Sequence, residues 1–440
     1  MNSLTVNNSP SRHISVWTAA SFVVASMIGT GVFTSLGFQL LDIQSVFPLI
    51  MLWVIGGIVA LCGALTYSEL GAALPRSGGE YHLLSRIIHP SIGFGAGIVS
   101  ATVGFTAPAV LAAMALGSYL SAVFPGLNQT IVASLVLIGF HGLHMKSVKW
   151  GTFFQDSSTA VKIGLILVFI AFGFISDVSQ PISILPKPGD GALMLSSGFA
   201  VSLVWVSYAY TGWNSAMYIA GEIQDPKINI SRSMVIATGF VMVLYILLNY
   251  IFLYTAPMTA MAGRVDVGYI SGVQIFGEIG AKVIGLGISI LLLSTVSSYV
   301  YIGPRIMQIM GEDHSFLKFL KNRNTDDIPL NAFCVQLGLS FLFILTSSFE
   351  QVLMYAGISL IITTTLTVIS LFVLRYKDPN LDRPYRVWGY PITPLVFLIV
   401  NVWILAYSIR ETTFESFIGI GIIMLSIGLY YLMSVLNKSL

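Results

Sequence analysis

Ser21-Phe22-Val23-Val24-Ala25-Ser26-Met27-Ile28-Gly29-Thr30-Gly31-Val32-Phe33 and Ser202-Leu203-Val204-Trp205-Val206-Ser207-Tyr208-Ala209-Tyr210-Thr211-Gly212-Trp213-Asn214 are two apolar runs, each interrupted by glycine. One offset aligns Ser21 with Ser202, Ser26 with Ser207, Thr30 with Thr211 and Gly31 with Gly212. In lipid every peptide N–H and C=O must find a partner, so broken backbone survives there only beside a cavity or a ligand. A matched pair of glycine-interrupted spans in two halves of a chain points to a central binding site at mid-membrane.

Composition places these runs in a bilayer. The chain has 440 residues, 55% hydrophobic and 9% charged, with a mean hydropathy of +0.85. A soluble domain carries about 25% charge. The expected class is an all-α polytopic membrane protein. About twelve apolar stretches reach the length that crosses a bilayer: 15–37, 46–72, 91–122, 129–145, 156–176, 195–220, 233–256, 279–310, 330–348, 351–375, 390–410 and 414–435. The net charge of +2 comes with no basic stripe, so nothing suggests nucleic acid as a partner.

The basic residues fix an expected orientation. With a cytoplasmic N-terminus, only Lys187, Arg264, Lys282 and Arg410 fall outside, and Lys162 falls within a span; the other sixteen of the 21 lie inside. The positive-inside rule then puts both termini in the cytoplasm, in a cell membrane. The first apolar run is too long for a cleaved signal peptide and follows a polar leader with Arg12 and His13. Cys62 and Cys334 lie in or at the end of spans, so they read as small packing residues with no disulfide.

Residues 1–14 form a polar tail, 15–176 hold spans one to five, and 195–375 hold spans six to ten. Because five is odd, the second block enters from the opposite side, which makes an inverted repeat. Two extra spans follow at 390–435. The loop 73–90 suits an amphipathic helix, 311–329 with Asp326 and Asp327 a charged connector, and 376–391 carries Pro379, Pro384 and Pro391, which prevent continuous helix.

A helix restarting after Gly31 exposes N–H groups near Thr30, Gly31 and Val32 at its positive end, which favours a carboxylate. A helix stopping at Met27–Ile28 or near Tyr208–Thr211 frees carbonyls for an ammonium group. Together they suit a zwitterion such as an α-amino acid. The plainer alternative is that Gly29 and Gly31 only permit close helix packing.

Tyr67-Ser68-Glu69-Leu70-Gly71-Ala72-Ala73-Leu74-Pro75-Arg76-Ser77-Gly78-Gly79-Glu80-Tyr81 resembles the second-helix motif of the amino acid–polyamine–organocation permeases. Gly29-Thr30-Gly31-Val32-Phe33 is similar to their first-helix Gly-Ser-Gly-Ile-Phe. Tyr208-Ala209-Tyr210-Thr211-Gly212-Trp213-Asn214 resembles the sixth-helix motif of the L-type amino acid transporter branch, and Glu222-Ile223-x-x-Pro226 its end. The likeness covers residues 15 to about 375. It implies a LeuT-like fold of about twelve helices, a 5+5 inverted repeat with helices 1 and 6 broken, and alternating access.

Carried over, it puts the substrate carboxylate on Thr30 and Gly31, with Gly29 in the break, and the amino group on carbonyls of Met27, Tyr208 and Thr211. Tyr208 takes the place of the aromatic gate. Thr30 stands where relatives have Ser, and Ser207-Tyr208 makes the gate more polar, so the family's side-chain preference does not transfer.

Lys162 has two readings: an ammonium snorkelling to the interface, or, by the resemblance, a fixed cation where sodium-coupled relatives bind sodium, reaching the first break and Ser297 or Ser298. The second reading makes transport sodium-independent, and loss of the lysine proton would couple transport to protons. Glu69 reads as a structural ion pair, and Glu222 and Arg305 as gate or packing charges. His141-x-x-His144 lacks a nearby carboxylate or thiol, which argues against a metal. No cofactor is implied, and no catalytic constellation suggests an enzyme.

The leading expectation is therefore a secondary carrier or exchanger for neutral amino acids. The alternatives are a non-transporting amino acid sensor on the same fold, or a permease for a cationic amino acid or polyamine. The loop Phe124-Pro125-Gly126-Leu127-Asn128 has no cysteine, which argues against a disulfide-linked heavy subunit.

Overall fold

The computed structural model describes residues 14–76, 78–146, 149–324 and 328–436, with the side chains of 149–158 and 436 left aside. The expectations on the tail 1–13 with Arg12 and His13, and on Ser77, Asp326, Asp327 and Lys438, lie outside the described residues. No strand occurs among the described residues; the one extended pairing is a parallel bridge between Ile14 and Ile223.

The helices follow the apolar runs. They are α1 (Val16–Met27), α2 (Gly31–Asp42), α3 (Val46–Ala73), the short α4 (Gly79–Ile87) and α5 (Pro90–Val123). Next come α6 (Gln129–Lys146), α7 (Lys149–Ile175), α8 (Ser197–Ala209), α9 (Pro226–Thr255) and α10 (Val267–Asp313). The chain ends with α11 (Leu330–Thr346), α12 (Phe349–Lys377), α13 (Ile392–Glu411) and α14 (Thr413–Leu436).

Among the described residues eight helical stretches are long and apolar enough to cross a membrane, and three shorter apolar helices accompany them. With α6 these fill the twelve expected spans. Most helices show almost no apolar asymmetry, as expected of spans covered by lipid on one side and protein on the other.

Local sequence sets several boundaries. Ser15 caps α1 by accepting from the Thr18 N–H at 3.2 Å. Ser348 and Gln351 form a reciprocal capping box at the start of α12. Inside α10, Gly277 at φ 67° separates a short far-face helix from the eighth span. That first segment, 267–276, is helical where the sequence reading placed only a loop. The expected helix in loop 73–90 is α4.

A π-helical turn occupies Ser100–Thr106 of α5, with the Thr106 hydroxyl donating to the Ala101 carbonyl at 2.8 Å. Such turns widen a helix locally and concentrate at functional sites. Nothing in the periodicity announced it.

The core lies where α1, α2 and α8 meet α3, α9, α10 and α12. Two faces can be told apart: one carries Ile14, α4 and the end of α14, the other the connections around 124–128, 177–196 and 256–266.

On the first face Glu69, fully buried, accepts from Arg375 Nη2 at 2.6 Å and from the Val387 N–H at 2.7 Å. Arg383 Nε lies 3.5 Å from its other oxygen. Glu69 thus ties α3 to the end of α12 and the proline-rich connector, which is the structural role expected. Arg375 also lies over the Tyr390 ring, 3.6 Å from its centroid.

Arg305 packs over Tyr301 at 3.5 Å, and the Glu222 carbonyl accepts from the Ile14 N–H at 3.0 Å. Both cysteines are free; Cys62 is half-buried, whereas Cys334 is exposed on α11 and so is not the packing residue expected.

Candidate functional site

The two glycine breaks face each other. A Cβ on Gly31 would lie 2.5 Å from the Ala209 Cα, and one on Gly212 would lie 2.7 Å from the Ser26 carbonyl carbon. Each break therefore closes on the backbone of the other. Gly212 also adopts φ +106°, a left-handed conformation costly for any residue with a Cβ. Gly29 differs: its Cβ would meet Thr295 Cγ2 at 3.7 Å, an ordinary contact. The close-packing reading thus holds for Gly31, alongside whatever the open backbone does.

Open backbone is present on both sides. Among the described residues the N–H groups of Gly29, Thr30, Gly31 and Val32 make no hydrogen bond. Nor do the carbonyls of Ala209, Tyr210 and Thr211 accept one. The first set begins α2, so the helix dipole makes it electropositive. The second set ends α8, where the dipole is negative.

The Met27 carbonyl, expected to be free, accepts from Tyr245 Oη at 2.6 Å. That leaves it one lone pair. The Thr30 carbonyl is taken by Thr34 Oγ1 at 3.0 Å and the Phe33 N–H at 3.1 Å. The Tyr208 carbonyl is engaged by the Thr211 N–H at 2.9 Å, and the Thr211 hydroxyl donates to the Ser207 carbonyl at 3.3 Å. Met27, Gly29, Thr30, Gly31, Tyr208 and Thr211 line one small hollow with Thr295 and Tyr299.

This hollow adjoins a cavity of about 140 Å³ that Lys162, Ser207, Tyr208 and Thr211 also line. Cavities of that size hold a benzene-sized molecule in other proteins. Lys162 stands at the midpoint of α7 (27 residues) and is 3% exposed, which rules out snorkelling to an interface.

Its ammonium donates to Thr295 Oγ1 at 3.3 Å. The partners expected from sequence are otherwise engaged: Ser297 shares a 2.9 Å hydrogen bond with His144, and Ser298 donates to the Ser294 carbonyl at 3.0 Å. Thr295 lies between Lys162 and Gly29, so the lysine still meets the first break, through a hydroxyl two or three residues before those expected.

Glu80 belongs to the second-helix motif, where nothing in the sequence marks it for the site, and it lines the same cavity. It accepts from Asn214 Nδ2 at 2.6 Å, Tyr218 Oη at 2.6 Å and Tyr67 Oη at 3.1 Å. These bonds close the cavity toward the face that carries Ile14. Gly79 lets this happen, since a Cβ there would sit 2.5 Å from the Tyr218 ring.

At the opposite end Phe38 stacks on Trp205 at 4.4 Å and on Phe349 at 5.9 Å. Below this layer Tyr119 Oη donates to the Phe33 carbonyl and accepts from the Gly268 N–H, both at 3.0 Å. Side-chain closures thus stand at both ends of the bundle, with Glu80 lining the cavity and the Phe38 layer lying beyond its lining.

His141 donates to the Leu137 carbonyl at 2.8 Å and lies outside the cavity, as does His144. Among the described residues no group of three His, Cys, Asp or Glu side chains is placed to hold a metal.

Comparison with known proteins gives this geometry its setting. Residues 14–431 match the amino acid permease family. Asc-type amino acid transporter 1 of Mus musculus is 25% identical over 433 residues, 96% of this chain and 81% of that protein. Large neutral amino acids transporter small subunit 2 of Homo sapiens is 24% identical over 446 residues, 96% of this chain and 80% of its own length. The serine/threonine exchanger SteT of Bacillus subtilis is 24% identical over 444 residues, 97% and 98% of the two chains. With facing helix breaks, a central cavity and a match along nearly its whole length, the chain belongs to the amino acid permease family: it is a multi-pass membrane transporter, not an enzyme.

Proposed function

We propose that this permease is a sodium-independent carrier, working by uptake or exchange, for neutral amino acids. The observation that carries the reading is the pair of opposed open backbones. Unpaired N–H groups at Thr30 and Gly31 suit the substrate carboxylate, and unpaired carbonyls at Tyr210 and Thr211, with the remaining lone pair of Met27, suit its ammonium group. Such polar groups inside a bilayer cost several kcal/mol each unless a ligand or water satisfies them. Tyr208 lines both the hollow and the cavity, which supports its role as the gate over the bound substrate.

Lys162 supports sodium independence: a fixed ammonium beside Thr295 occupies space near the first break where a metal cation would be repelled. Its position also leaves proton coupling open to test. Residues 15–176 and 195–375 are taken as the two inverted repeats, with 390–435 appended, and both termini as cytoplasmic. The absence of cysteine from Phe124–Asn128 favours function without a disulfide-linked heavy subunit.

Alternating access then follows from the two closures. Separating Phe38 from Trp205 and Phe349 opens one side, and releasing Glu80 from Asn214 and Tyr218 opens the other. The test is uptake of labelled amino acids into proteoliposomes, with sodium replaced by choline and with or without internal amino acid. Sodium-insensitive uptake of neutral amino acids is expected; a strict sodium requirement would remove the Lys162 argument. Failure of every neutral amino acid would remove the substrate reading.

A further inference from the structure

Asn401 is the tenth residue of the twenty-residue α13, in the apolar run Leu398-Ile399-Val400-Asn401-Val402-Trp403. It is 2% exposed and belongs to the buried stripe Phe397, Asn401, Ile404 and Ser408, which recurs at helical spacing and faces the protein. Among the described residues its amide makes no hydrogen bond, and its polar atoms are not fully enclosed by protein. Yet it lines the central cavity. A buried primary amide offers two donors and an acceptor with two lone pairs, and leaving these unmet costs on the order of 1–3 kcal/mol. At mid-span no bulk water relieves that cost.

The surrounding wall is shaped to let something reach it. Gly56 and Ala60 of α3 line the same cavity and contribute almost no side chain to it, while Phe397 and Trp213, packed on each other, add apolar wall. An apolar slot with one unmatched amide is the ordinary design of a pocket that fixes orientation through a few polar groups.

We propose that Asn401 sets side-chain specificity, by pairing with a substrate side chain that ends in an uncharged hydrogen-bonding group that both donates and accepts. Glutamine and asparagine have that chemistry; methionine and leucine fill similar space without it. This rests on the amino acid reading above and narrows it to a subclass of neutral substrates, with recognition shared between the two helix breaks and a helix outside both proposed repeats.

The test uses the purified full-length chain in detergent, with dissociation constants measured by calorimetry for glutamine against methionine and asparagine against leucine. The wild type is expected to prefer the amide of each pair by about tenfold, the scale of one net hydrogen bond. Asn401→Leu keeps the number and branching of side-chain heavy atoms and removes the polar group, so it should abolish that preference while methionine and leucine still bind. Asn401→Ser, which retains a hydroxyl, should keep part of the preference and serves if the leucine variant does not fold. Binding with the amide preference absent in the wild type, or unchanged in Asn401→Leu, would overturn the assignment alone. Absence of binding by all four amino acids would overturn both it and the neutral amino acid reading.

Discussion

Gly31→Ala adds one methyl group where the two helix breaks touch. Its Cβ would sit 2.5 Å from the Ala209 Cα and 2.6 Å from the Ala209 Cβ. Carbon atoms rest at roughly 3.5–4.0 Å, and backbone cannot swing aside as a flexible side chain does. The breaks must therefore part by about 1 Å.

Overpacking of this kind costs about 1–3 kcal/mol, and alanine's higher helix propensity offsets up to roughly 1 kcal/mol of it. The net loss of stability is modest. The effect on binding is larger, because the proposed substrate bridges the breaks. Lengthening its hydrogen bonds by about 1 Å takes them beyond bonding distance, and two bonds to charged groups at about 1.5–3 kcal/mol each amount to a hundredfold or more in affinity.

Calorimetry on the purified chain, with thermal unfolding of the same preparation, separates the two effects. Gly29→Ala is the control, since its Cβ meets only Thr295 at 3.7 Å, and it should bind nearly as the wild type does. Wild-type affinity in Gly31→Ala with lowered stability would refute the bridging geometry. Equal loss in both variants would refute the distinction between the two glycines.

Lys162→Ala should stop transport or uncouple it from protons, measured by uptake under an imposed pH gradient; unchanged, equally pH-dependent uptake would remove Lys162 from the mechanism. Glu80→Gln replaces one of the two accepting oxygens by a donor, opposing either Asn214 or Tyr218, so a cysteine placed at Ser207 in a Cys62→Ala, Cys334→Ala background should react with a water-soluble thiol reagent roughly tenfold faster, on the scale of one lost hydrogen bond. Equal rates would show that Glu80 does not close the cavity. Glu69→Ala leaves Arg375 and Arg383 without their shared anion, a loss of about 3–5 kcal/mol for a buried pair, read as a large fall in thermal stability; a small fall would mean the arginines find other partners. His314 packs at 4.8 Å against Phe94 and beside Phe316 and Tyr430, and burial holds it below the ordinary histidine value, with Asp313 opposing. The unfolded chain takes the proton first on acidification, so stability should be full above about pH 6.5 and decline below it, and His314→Phe should flatten that decline.

Much of the fold was legible because a bilayer leaves few choices. Long apolar runs must be helices, and glycine-rich interruptions must be satisfied locally or by a ligand, so the two broken spans follow from composition and spacing, whereas the facing of their glycines is seen only in the fold. Thr30, Gly31, Tyr208 and Thr211, which the structure brings to one hollow, stand out on the same grounds. For Lys162 the sequence leaves the interface and the first break both open; burial decides against the interface, and because Thr295, Ser297 and Ser298 are neighbours on one helix, only its rotation decides which hydroxyl meets the ammonium.

Other parts of the site depend on distances between segments far apart in the chain. Glu80 meets Asn214 and Tyr218 across more than 130 residues, and Tyr245 caps the Met27 carbonyl across 218. Asn401 carried no signal beyond being a polar residue in an apolar helix. The sequence by itself determined that the chain is a membrane helix bundle with two broken helices and open backbone at its centre. Tertiary structure alone decided which of those polar groups are already satisfied and which face a void, because hydrogen-bond satisfaction is a matter of ångströms between helices, which no pattern along one helix encodes.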